Sequence, residues 1–268
     1  MSRFISIIIL LNAWHGHSQV FNETFGDDGF DMLIKHPLVF VKTGDPGVDV
    51  EMQEALESSW TFSDFVVLEQ GDGPSYNQCF IAIILMRESF AQNFALAILP
   101  GEYYTKPAEY SRAVSYMLFN GFYTPDDYLQ PKMFLKLIVN IFNKTVTLIR
   151  DERITGSNKN VEYEVQKKAE EISGMRLIVY DMIIKLFIPE IELVSRGINY
   201  QIVDKNELTE MIKNPTEGDY LVYLAKNAMA EFSIINMVDG SLLFTKHTAI
   251  TNLKSKVKLY LNLIENHF

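Results

Sequence analysis

The sequence predicts an α/β protein made of two similar units, each a mixed sheet packed by helices, after a cleaved signal peptide. Three observations predict it. The 268-residue chain is 48% hydrophobic and 22% charged, an ordinary globular composition. Short β-branched and aromatic runs alternate with stretches whose apolar residues recur at helical spacing. The order of these elements then repeats on either side of a polar stretch, Thr155-Gly156-Ser157-Asn158-Lys159-Asn160, which reads as a hinge. The expected division is a signal peptide over residues 1–18, a poorly patterned lead-in over 19–36, a first α/β unit over 37–154 and a second over 160–268.

The N-terminus carries the chemistry of export. Arg3 supplies a positive start, residues 4–11 are almost wholly apolar, and Gly16 and Ser18 place small residues at −3 and −1 of a cut before Gln19. The apolar run is too short for the roughly 20 residues that cross a bilayer. The expectation is a protein of the bacterial periplasm or one secreted beyond it.

Elements of the first unit follow in order. Residues 38–41 read as a short strand closed by the turn Thr43-Gly44-Asp45-Pro46-Gly47. Val48, Met52, Ala55, Leu56 and Trp60 then share one helical face. Residues 65–68, 80–86 and 94–99 read as further strands, the last ended by Pro100-Gly101. Thr124-Pro125-Asp126-Asp127 is a helix start, and beyond Pro131 a stripe of Phe134, Leu137, Ile138, Ile141, Thr145 and Leu148 predicts a long helix.

After the hinge, residues 162–171 read as an exposed charged helix ended by Gly174. Residues 183–188, ended by Pro189, are then assigned as a strand in the place of 38–41. Residues 200–203, 220–224 and 232–235 answer 65–68, 80–86 and 94–99. The second unit adds a short helix over 207–213 where the first has only the loop 71–75, and a hairpin about Asp239-Gly240. A closing helix with Leu253, Val257, Tyr260, Leu261 and Ile264 on one face completes the repeat.

Composition limits the partners. With 24 Lys and Arg against 34 Asp and Glu the net charge is −10, and no basic run is present, which argues against nucleic acid and an anionic membrane surface. The one cysteine, Cys79, forms no intramolecular disulfide and lies in an apolar run, where a thiol is a small core residue.

Residue types able to build an active site are sparse. Beyond the signal the histidines are His36, His247 and His267, none beside a serine elbow, and no zinc spacing occurs. The glycine loops at 43–47 and 71–75 lack the phosphate-binding patterns, and Asp45 opposes an anion. No catalytic residue, metal or cofactor is therefore assigned. The aromatic segment holding Tyr103, Tyr104, Tyr110, Tyr123 and Tyr128 has two readings, a partner-contact surface or a helical core under a loop cover.

One resemblance adds to this. Residues 56–68, with Trp60 ending a helix before a short strand, and residues 200–243 resemble uncharacterised exported proteins of Bacteroidetes-type bacteria. The second stretch runs from a strand through Asp204-Lys205-Asn206-Glu207-Leu208 into a helix, then a strand and a hairpin at Val238-Asp239-Gly240. That layout is similar to the α/β domains of TolB N-terminal and CsgG-like envelope proteins, with a shortened Val-Asp-x-x-Gly turn. The resemblance implies a non-enzymatic binding or assembly module with an envelope protein as partner. Two other classes stay open: a hydrolase whose carboxylates converge only in three dimensions, and a small-molecule binder at the cleft between the units.

Overall fold

The strands paired in parallel on both sides, 38–41 and 176–180, are near-continuous apolar runs buried along most of their length, while their parallel edge neighbours, 65–68 and 200–203, are mostly half-buried. The computed structural model describes residues 27–88, 91–104, 114–118, 132–152, 163–165, 167, 174–226, 229–249 and 253–265. The expected signal segment, the expected helix start at 124–127 and the expected hinge lie outside them.

The elements run α1 (Asp27–Lys35), β1 (Leu38–Val41), α2 (Pro46–Ser59), β2 (Phe65–Leu68), β3 (Cys79–Glu88), β4 (Ala91–Pro100), β5 (Ser115–Leu118) and α3 (Lys132–Asp151). They continue β6 (Arg176–Tyr180), α4 (Asp181–Leu186), α5 (Glu190–Ser195), β7 (Tyr200–Val203), α6 (Lys205–Lys213), β8 (Asp219–Lys226), β9 (Met229–Asn236), β10 (Leu242–Ala249) and α7 (Leu253–Ile264).

Two five-stranded sheets form, in the orders β2-β1-β3-β4-β5 and β7-β6-β8-β9-β10. In each, the first strand pairs in parallel with the second and third, and the rest are antiparallel: Leu38 opposes Phe65 and Val39 opposes Phe80, while Leu177 opposes both Tyr200 and Tyr220. The two units thus have one topology, an α/β architecture of mixed sheets packed by helices.

The strand equivalent to β1 is β6, not the segment 183–188 assigned from sequence. Those residues fall in α4 and the turn after it, and Pro189 caps α5. A short apolar run does not separate strand from helix by periodicity. Here the polar residues decide, because Asp181 and Lys185 form an i,i+4 ion pair only a helix can make. Two other differences concern the first unit. Residues 27–35 of the lead-in form α1, whose Leu33 is fully buried, and 115–118 add a fifth strand within the aromatic segment.

Helix α3 joins the units. The expected stripe is buried through Phe134, Leu137, Ile138, Ile141 and Thr145, but so are Leu135, Val139, Phe142 and Val146 on the flank. A helix apolar over so wide an arc must be covered on more than one side. On one side Asn143 reaches the segment after α2: its Oδ1 accepts from the backbone N–H of Thr61 at 2.8 Å and of Phe62 at 2.9 Å, and its Nδ2 donates to Thr61 Oγ1. On another the β9–β10 turn rests on the helix backbone. A Cβ on Gly240 would lie 2.6 Å from Asn140 Cβ and 2.7 Å from the Ile141 nitrogen, and Lys144 pairs with Asp239 at 3.1 Å. One continuous apolar core includes residues of both sheets and of α3.

Two substitutions test this joint. Gly240 has φ +74° as well as no room, so Gly240→Ala is expected to cost about 2–4 kcal/mol, while Gly197→Ala, at φ +65° in open space, should cost about 1 kcal/mol of strain. Equal losses in thermal melts would remove the contact with α3 from consideration. Asn143→Ala leaves two backbone donors without their acceptor and should cost about 2–3 kcal/mol by denaturant titration.

Candidate interaction surface

Open α/β sheets usually hold ligands outside the carboxyl ends of their parallel strands. After β1 and β7 the loops there are filled by the chain's own carboxylates. After β1, Asp49 accepts from the Thr43 N–H at 2.7 Å, the Thr43 hydroxyl at 2.8 Å and the Gly44 N–H at 3.1 Å. Asp45 accepts from the N–H groups of Gly47 and Val48 at the start of α2. The donors a phosphate would need are thus already engaged, by groups of the same charge. After β7, Asp204 and Glu207 form a reciprocal capping box on α6.

The titratable residues singled out by sequence lie apart. His36 contacts the Asn77 amide at 3.3 Å at the start of β1, and His247 lies on β10 opposite Glu231. His267 lies outside the described residues. Cys79 is 1% exposed, burial pushes its thiol up to about 12, and its Sγ approaches the Gly29 carbonyl at 3.5 Å. It is a core residue. Among the described residues no group of three or more His, Cys, Asp or Glu is gathered as a metal ion requires.

Of the aromatic candidates, Tyr103 and Tyr104 are half-buried and pack against the core. Tyr104 stands edge-on to Phe80 at 5.5 Å and donates to the Asp72 carbonyl at 2.6 Å. Its neighbour Gly101 packs so closely that a Cβ there would lie 2.2 Å from the Ser75 carbonyl oxygen. Tyr110, Tyr123 and Tyr128 lie outside the described residues. Among the described residues of this region the aromatic presented to solvent is Tyr76, 70% exposed, whose hydroxyl donates to Glu102. Its place in the Gly- and Pro-bearing loop 71–77 was the signal that could have found it.

The second unit presents an inverted helix. On α5 the charged Glu192 is 14% exposed and Arg196, at its end, is 15% exposed. Ile191, just before Glu192, and Val194, between the two charges, are 66% and 56% exposed. The charges turn inward because they bind one another and α7. Glu192 pairs with Arg196 at 2.6 Å and with Lys258, and Arg196 also reaches Asn262 at 2.9 Å and Glu265 at 3.6 Å. Hydrogen bonds first from Lys258 and then from Arg196 hold the Glu192 carboxyl below the usual carboxylate range. The network fixes α5 against α7 and leaves Ile191 and Val194 facing water, while Leu193 stays buried.

Tyr104→Ala is expected to cost about 2–3 kcal/mol in a thermal melt, and Tyr104→Phe, which keeps the ring on Phe80, about 1 kcal/mol. A stability unchanged by Tyr104→Ala would show that the ring does not carry the loop 69–78. No protein family, no curated protein and no solved structure matches this chain, so the reading of its surface rests on the geometry alone.

Proposed function

We propose that this chain is an exported, non-enzymatic binding or assembly module of the bacterial envelope. The observation that carries the binding reading is α5, where Ile191 and Val194 face solvent while Glu192 and Arg196 are drawn inward. Large apolar side chains held rigidly at a surface have a reason to be there when another molecule covers them, since covering them releases ordered water at little entropic cost to the protein. After β1 the backbone donors that a small ligand would use are engaged within the chain, which supports a contact on the outer surface instead. Export is supported by the charged, apolar and small-residue order of residues 1–18.

Capture with tagged protein from native envelope is expected to recover one stoichiometric partner. The variant carrying Ile191→Asp and Val194→Asp should lose it while its melting temperature stays within about 3 °C, as for exposed sites. Capture unaffected by the pair of changes would remove α5 as the contact. Mass spectrometry of the exported protein should find a first residue near Gln19, and an intact Met1 would count against export.

The Glu192 network adds a pH dependence. A carboxyl whose folded pKa is depressed stabilises fully above its unfolded value, about 4.3, and loses that contribution as pH falls through the folded value. Wild type should therefore exceed Glu192→Gln in melting temperature at pH 6, and the difference should shrink as pH falls below the unfolded carboxylate value. A constant difference would show that the ion pairs do not hold α5.

A further inference from the structure

The units share a packing detail beyond strand order. In the first, Asn143 of α3 accepts from the segment between α2 and β2; in the second, Asn262 of α7 accepts from Arg196, which ends α5 just before β7. One, two and five residues before these asparagines stand Phe142, Ile141 and Ile138 in α3, and Leu261, Tyr260 and Val257 in α7, all buried. Helix α7 is thus the counterpart of α3. Three residues before, Asn140 corresponds to Leu259.

Asn140 is the seat of the second unit, the point where Gly240 rests, with Lys144 pairing to Asp239 beside it. At the corresponding point on α7, Leu259 is 48% exposed, and Lys256 near it is exposed too. The first unit carries the features that would face such a seat. Its turn after β4 bears Glu102 where the turn after β9 bears Asp239, and the loop replacing α6 bears exposed Asp72 and Tyr76.

Charge points the same way. Residues 37–154 hold 9 Lys and Arg against 15 Asp and Glu, whereas 160–268 hold 12 against 15. Within α7 there are three lysines, Lys254, Lys256 and Lys258, and no acid. The basic helix ends the less acidic unit, and its complement is the acidic one.

We infer that α7 of one copy seats on the first unit of a second copy, head to tail. Leu259 meets Tyr76, and Lys256 faces Glu102 and Asp72. The contact uses on α7 the position that Asn140 occupies on α3, with the lysine one turn before that position, whereas Lys144 lies one turn after Asn140. It rests on the assembly reading above and names a second copy as partner, through a face of α7 other than the one α5 covers. Because the two surfaces differ, an open row of copies keeps one of each free at its ends, so the assembly grows past a dimer or closes as a ring of three or more.

Sedimentation velocity of the full chain at low salt tests it. The average mass of wild type should rise with concentration beyond that of a dimer and fall as salt is added. Lys256→Glu alone and Glu102→Lys alone should each weaken association at least about tenfold, since each then opposes like charges. An equimolar mixture of the two variants should associate again, because every head-to-tail contact in it can pair opposite charges. Leu259→Asp and Tyr76→Ala, both at exposed positions, form a second pair if a charge variant fails to fold, and each should also weaken association. Wild type of monomer mass at all concentrations, a mass that stops at the dimer, or a mixture no heavier than either variant would overturn the inference. A monomer that still captures an envelope partner through Ile191 and Val194 would overturn the self-assembly alone and leave the binding reading standing.

Discussion

The contact of the Gly240 turn with the backbone of α3 is the constraint on which the rest of the molecule depends. It lets a helix that belongs by sequence to the first unit bury its second flank against the other unit. A β-turn can approach a helix backbone this closely only without a side chain, and the turn also needs positive φ at that residue. Asn143, one turn further along the helix, holds the first unit by satisfying two backbone donors at the end of α2. The helix is thereby held by both units, and one core serves both sheets.

Much of this was legible in the sequence where polar and apolar residues alternate by a rule. The helix with Met52, Ala55, Leu56 and Trp60 buried, the strands β2, β3, β4 and β7 to β9, the short helix after β7 and the hairpin at Asp239-Gly240 all follow from local pattern. The failures share a cause. Residues 176–180 and 181–188 are both short apolar stretches, and only the Asp181–Lys185 pair and the parallel register of Leu177 tell helix from strand. Strand β5 was hidden because Ser115 and Tyr116 lie among aromatics that read as helix or surface. The stripe on α3 was read as one face, although Leu135, Val139, Phe142 and Val146 were there to be counted, because a single unit offers no reason for a second buried flank.

The interaction surface was less legible, since exposure is a property of the fold. Nothing in Glu190-Ile191-Glu192-Leu193-Val194 says that the second glutamate turns inward; that follows from Lys258 and Arg196, one of them 66 residues away in sequence. Tyr103 and Tyr104 stood out by density yet pack on the core, while Tyr76 stood alone and is exposed. The strand-end loops show the converse. Asp45 and Asp49 were visible as acids beside a glycine turn, and their closing of that turn is what local spacing implies.

Hydrogen exchange along α3 measures most directly whether that helix unites the two halves. If α3 is held by both units, its amides from residues 135 to 146 should exchange only by global unfolding, at one rate limit shared with the central strands β3 and β8. Protection of α3 and β3 that persists while β8 has already exchanged would show two units unfolding separately, and would contradict a core built around one shared helix.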